Sequence, residues 1–223
     1  MSTNANVEPF SVKDCALVTI ATGQKAQNLK EMRNRLNTIH LGSIYHHFWG
    51  GLLRPRFDEP EYNNDFAEWV HRALQDNILA ERLSVIDPDP FVNLESLRQE
   101  LLEVIEQRLD EIETVTWSKP EMQFHFLRAQ MVVFDTRGTI AEPEELVEAV
   151  PNMSVGSIFY HFIDARRRSP EMMDDFSTWL RAGGKDDLCL QVAAVDPYFG
   201  SLVELRQQLT DLFAKYFFRG VTG

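Results

Sequence analysis

Cysteine is scarce in this chain, with two thiols in 223 residues. Cys15 and Cys189 also fall at positions that do not correspond in the internal copies described below. A disulfide or a thiolate ligand set is therefore not expected, and both read as buried, idle thiols. Positive charge is short as well: 22 Lys and Arg stand against 34 Asp and Glu, a formal net charge of −12. Phosphate backbones and anionic lipid surfaces are bound by basic fields, so neither nucleic acid nor membrane is an expected partner. No apolar run approaches the roughly 18 residues of a membrane span. Residues 1–6 lack the basic and apolar regions of a secretion signal, and a cytoplasmic protein is the expectation. A Gly-rich phosphate loop, a Walker pattern and a dinucleotide fingerprint are all missing, so no cofactor is expected; Gly50-Gly51 and Gly183-Gly184 read as helix breakers.

What is present is a globular composition, 44% hydrophobic with 15 Phe, and a pattern that recurs. Gly42-Ser43-Ile44-Tyr45-His46-His47-Phe48 returns 114 residues later as Gly156-Ser157-Ile158-Phe159-Tyr160-His161-Phe162. Asp65-Phe66 and Trp69 return 110 residues later as Asp175-Phe176 and Trp179, and Leu94-x-x-Leu97-Arg98-Gln99-x-Leu101 returns 108 later from Leu202. Three blocks in one order read as a tandem duplication. The period is too long for a solenoid unit, so each copy is expected to be a compact domain. The expected division is residues 9–112, a linker at 113–121, and residues 122–219.

The fold class expected is all-α, with about five helices per copy. Ser11 is a candidate cap for a helix through Leu17, Val18 and Ile20. Ala26, Leu29, Met32, Leu36 and Ile39 recur at helical spacing. Asp65 and Glu68 suggest a capping box, as do Ser201 and Glu204. Asn93 caps a long helix through Leu97, Leu101 and Ile105. Met131-Val132-Val133-Phe134 looks strand-like, but it aligns with the first helix of copy one and is read as helix.

Thr22-Gly23-x-Lys25-Ala26-x-Asn28-Leu29-x-Glu31-Met32, the Gly42 to Phe48 block, Asn64-Asp65-Phe66-Ala67-x-Trp69-Val70 and Leu79-Ala80-Glu81-Arg82-Leu83 together resemble an uncharacterised bacterial family, domain of unknown function 5752. The resemblance is good over residues 9–112 and weaker over 124–217. It implies a fold unit and a bacterial origin, and it brings no mechanism with it.

Candidate chemistry centres on histidine. His47 and His161 occupy the same slot in both copies, on the apolar side of their helix. With Asp65 and Asp175 they suggest a His–Asp hydrogen bond with an indole nearby, which is either a general base with its orienter or a cap beside a satisfied core histidine. A metal site is the sharper enzyme reading: His40, His46, His47, His71 and Asp65 all lie in copy one. Copy two answers with Ser154, Tyr160, His161, Arg181 and Asp175, so at most copy one would bind. Arg54 and Arg56, with Arg166, Arg167 and Arg168 in the corresponding loop, could hold an anion or an acidic partner. The function these features favour is a non-catalytic interaction or regulatory adaptor with a protein partner or self-association. A metal-dependent hydrolase in copy one and a small-molecule sensor with a pocket between the copies are the alternatives.

Overall fold

The computed structural model describes residues 8–54, 61–198 and 200–219. The chain runs β1 (Phe10–Ala26), α1 (Leu29–Leu36), α2 (Leu41–Trp49), and α3 (Asp65–Trp69) widening into a π-type turn at Val70–Leu74. There follow α4 (Asn77–Ser84), α5 (Leu94–Glu111), β2 (Phe124–Ile140) and α6 (Leu146–Asn152). Next comes α7 (Val155–Ile158), which widens to π geometry at Phe159–Asp164 and continues as α8 (Ala165–Arg168). The chain closes with α9 (Asp175–Ala182), α10 (Asp186–Ala193) and α11 (Leu202–Arg219).

β1 and β2 pair as a two-stranded sheet. The Thr22 hydroxyl donates to the Phe126 carbonyl at 2.5 Å and the Thr136 hydroxyl to the Val12 carbonyl at 2.6 Å. The start of one strand thus lies by the end of the other, and the pair is antiparallel. Each strand is 17 residues long.

This sheet corrects the all-α expectation. Val12, Val18, Thr19, Ile20 and Thr22 make residues 10–26 rich in β-branched side chains, which pack well on a pleated surface and restrict the helix. Leu17, Val18 and Ile20 looked helical, but they form a short apolar run that periodicity alone cannot assign to helix or strand. Residues 131–134 carried the right local signal, and reading them as helix followed from aligning them with a segment that is itself a strand.

The picture of two all-helical tandem domains is corrected with it. The chain divides into two compact units, Leu17–Met131 and Met1–Ala16 with Val132–Gly223. Both division points fall inside strands, so each unit holds part of β1 and part of β2 beside its helices. In the Leu17–Met131 unit, Leu29, Met32, Leu36, Ile44, Phe66, Leu79, Leu83, Leu101 and Phe126 form the buried core. In the other, Leu146, Val150, Ile158, Phe162, Phe176, Leu180, Val192, Leu209 and Phe213 do so.

Helix starts explain which side chains remain for a site. Asn64 caps α3 by accepting from the Ala67 amide at 2.9 Å, and Asp174 caps α9 by accepting from Ser177 at 2.8 Å. The caps therefore sit one residue before Asp65 and Asp175, whose carboxylates are left for other partners. Asn93 caps α5, and Ser201 and Glu204 satisfy each other's amides at the start of α11.

Candidate functional site

In the Leu17–Met131 unit, α2 presents His47 to strand β2. The Leu127 backbone N–H donates to His47 Nε2 at 3.1 Å, and His47 Nδ1 lies 2.7 Å from Asp65 Oδ2. An amide N–H can only donate, so Nε2 must be the bare nitrogen and the ring proton sits on Nδ1, directed at the carboxylate. One turn earlier on α2, the Ser43 hydroxyl donates to the Leu127 carbonyl at 2.5 Å. Helix α2 thus satisfies both backbone groups of one strand residue. Phe124 packs against His47 with ring centroids 4.7 Å apart, stacks on Phe66 at 5.2 Å and meets Trp69 at 5.6 Å. The Trp69 indole N–H donates to the Met122 carbonyl at 2.7 Å.

The other unit makes the corresponding contacts with β1. The Lys13 amide donates to His161 Nε2 at 2.8 Å, and His161 Nδ1 lies 2.7 Å from Asp175 Oδ2. Phe10 packs on His161, Phe176 and Trp179 at 4.8, 5.2 and 5.6 Å, and the Trp179 indole donates to the Glu8 carbonyl. Here the carboxylate is shared, because Arg168 Nη2 also reaches Asp175 Oδ2 at 3.0 Å.

Gly42 and Gly156 let the strands come this close. A Cβ on Gly42 would stand 3.0 Å from the Ala129 carbonyl oxygen, and one on Gly156 would overlap Asp14 Oδ1 and the Cys15 carbonyl. Sequence reasoning read these glycines as punctuation and missed Phe10 and Phe124 altogether. Those two phenylalanines are separated by 114 residues, the same offset as Gly42 and Gly156, and that coincidence was the available signal.

The chain matches a family of unknown function, DUF5752, over residues 7–214. The chain belongs to DUF5752. A single span covers this DUF5752 chain nearly end to end. Among solved structures it is similar to OrfY from Thermoproteus tenax, with 25% sequence identity, a TM-score of 0.81, and coverage of 96% of this chain and 98% of that one. No curated protein matches it.

The remaining candidate residues of the DUF5752 chain disperse. His46, His47 and Asp65 form the one cluster of potential metal ligands among the described residues. His40 instead caps α2, accepting from the Gly42 amide at 2.9 Å, and His71 pairs with Asn77 and Glu61. Arg54 reaches His46 Nε2 at 3.2 Å and Thr19 at 3.5 Å. Arg56 lies outside the described residues. Arg168 is held by Asp164, Asp175 and the Tyr160 carbonyl and lies 3.9 Å over the Tyr160 ring. Arg166 lies 4.8 Å over Phe162, and Arg167 is 3.9 Å from Asp164. These arginines are built into the fold rather than gathered around an open anion site.

Cys15 and Cys189 are both buried. Burial, reinforced by Asp14 and Asp164, pushes the Cys15 thiol up to about 12, and its Sγ donates to the Gly156 carbonyl. A thiol in that state is a poor nucleophile.

His46 is displaced in the opposite direction. Burial, then His47 and Arg54, lower its pKa from 6.5 to about 4, with Asp65 acting weakly the other way. Arg54 donates to Nε2, so the ring proton sits on Nδ1, which has no hydrogen-bond partner among the described residues. Because the folded pKa lies below the unfolded one, the unfolded chain takes up the proton first. Stability from this group is complete above about pH 6.5 and is lost as pH falls toward 4, by at most about 3 kcal/mol. Urea midpoints at pH 7 and pH 5 are expected to differ more in the wild type than in His46→Gln. Equal pH dependence in the two proteins would contradict this role for His46.

Proposed function

We propose that this DUF5752 protein is non-catalytic and works in the cytoplasm by binding a protein partner, as an adaptor or regulatory component. The observation that carries the reading is the use of the His47 and His161 rings. Each ring spends one nitrogen on a strand amide and the other on a carboxylate. A general base or a metal ligand needs a free lone pair, and Nε2 would have to release a backbone N–H to supply one, which leaves that donor unsatisfied at a cost of about 1–3 kcal/mol. The His46–His47–Asp65 cluster is reduced by the same bonds to His46 and one carboxylate oxygen, short of a catalytic ligand set. A surplus of acid over base, two buried thiols, and the lack of any membrane-length apolar helix among the described residues fit that setting.

Elemental analysis of protein purified without chelator tests the reading. Zinc, iron and manganese are each expected well below one equivalent per chain. Near-stoichiometric metal that disappears in His47→Asn would establish a metal centre and overturn the proposal.

A further inference from the structure

In the Leu17–Met131 unit, an open trough of about 470 Å³ runs between the end of α4, the loop that follows it, and α5. Val85, Ile86, Pro90, Phe91 and Val104 give it an apolar lining. Val85 stands 78% exposed at its edge, and Val92, next in the chain after Phe91, is 77% exposed. The volume would suit a small molecule, but such ligands are usually enclosed over most of their surface, and an open trough cannot do that. Its length suits a helix: Glu100, Val104 and Gln107 line two turns of α5, about 10 Å of groove.

Charge decides the kind of helix. Asp87 and Glu100 line the trough, and neither makes an ion pair among the described residues. Glu103 extends the acidic row along α5. The lining cation, Arg82, is turned to Glu111 at 2.8 Å, and Glu111 also holds Arg108 at 3.0 Å. The trough is therefore apolar within and anionic at the rim. A second copy of this chain, at −12, would bring like charge to it, which disfavours self-association here.

We propose that this trough is the docking site for a basic amphipathic helix of a protein partner, entering with apolar side chains at i, i+3 and i+4 and with Lys or Arg over Asp87 and Glu100. The proposal deepens the adaptor reading and rests on it.

Fluorescence anisotropy on the full chain, at physiological salt, tests it with a labelled Leu/Lys amphipathic peptide of roughly 14 residues, about four helical turns. A control peptide carries Glu in place of Lys. The Leu/Lys peptide is expected to bind and the Leu/Glu peptide not to. Val85→Asn and Glu100→Gln are expected to weaken binding by at least about tenfold, while Val203→Asn, an exposed position on α11, leaves it unchanged. Both groove changes are at solvent-accessible positions, and matching urea midpoints would confirm intact folds.

Binding indifferent to Val85→Asn and Glu100→Gln, equal binding of both peptides, or a dimer in sedimentation that Val85→Asn dissolves would each overturn the proposal. The adaptor reading would survive those results. A stoichiometric metal centre would sink that reading instead, whatever the peptide does.

Discussion

Gly156→Ala is expected to lower stability by about 3 kcal/mol, read as a shifted urea midpoint with an unchanged slope, whereas Gly42→Ala should be nearly neutral. In a helix, Gly→Ala by itself is favourable by about 1 kcal/mol, so the sign is set by what the new methyl meets. At Gly156 it would overlap the Cys15 carbonyl oxygen and Asp14 Oδ1. A backbone oxygen in a strand cannot step aside without breaking the contact between strand and helix. At Gly42 the approach to the Ala129 carbonyl is 3.0 Å, and the other near neighbour is the His40 ring, which can shift slightly while still accepting from the Gly42 amide. A few tenths of an ångström of give cost about what helix propensity returns. Equal effects at the two glycines would show that close strand approach is not what these positions serve.

His47→Ala is expected to cost about 3 kcal/mol and His161→Ala about 2 kcal/mol, the sum of a small cavity and a stranded backbone donor. Both rings are nearly fully buried, at 2–4% exposure. The difference comes from the carboxylates: Asp175 keeps Arg168 when His161 is removed, while Asp65 loses its hydrogen bond to His47. His47 packs on Phe66, Phe124 and Phe126, and His161 on Phe10, Tyr160 and Phe176, so both losses open aromatic surface. Urea midpoints measured with chelator present separate this account from a metal or catalytic role. A His47→Ala protein as stable as wild type would refute it.

Much of this was legible in the chain, and the rest was hidden for physical reasons. The stripe Leu29, Met32, Leu36 and Ile39 is buried as its spacing predicts, and Asn93 caps α5 as expected. The His–Asp pairing was readable because both members recur together. Their strand partners were not, because a hydrogen bond to the backbone of Leu127 or Lys13 leaves no mark on which side chain stands there. The caps were misplaced by one residue: Asn64-Asp65 and Asp174-Asp175 each offer two good capping side chains in succession, and spacing alone does not rank them. The strands were lost because a short apolar run such as Leu17-Val18 with Ile20 does not separate the two periods, while the β-branched content of residues 10–26 was the better guide.

The way α2 holds Leu127 also bears on what the edge of the ribbon offers to another chain. A ribbon of two strands has an outer edge on each side, and a long edge with free N–H and C=O groups is a template on which other chains can add. Ser43 and His47 occupy the carbonyl and the amide of Leu127, the two groups through which a third strand would pair there. His161 takes the Lys13 amide on β1 in the same way. At Leu127 and Lys13, therefore, the side chains that read as an active site in the sequence occupy backbone groups that an added strand would need.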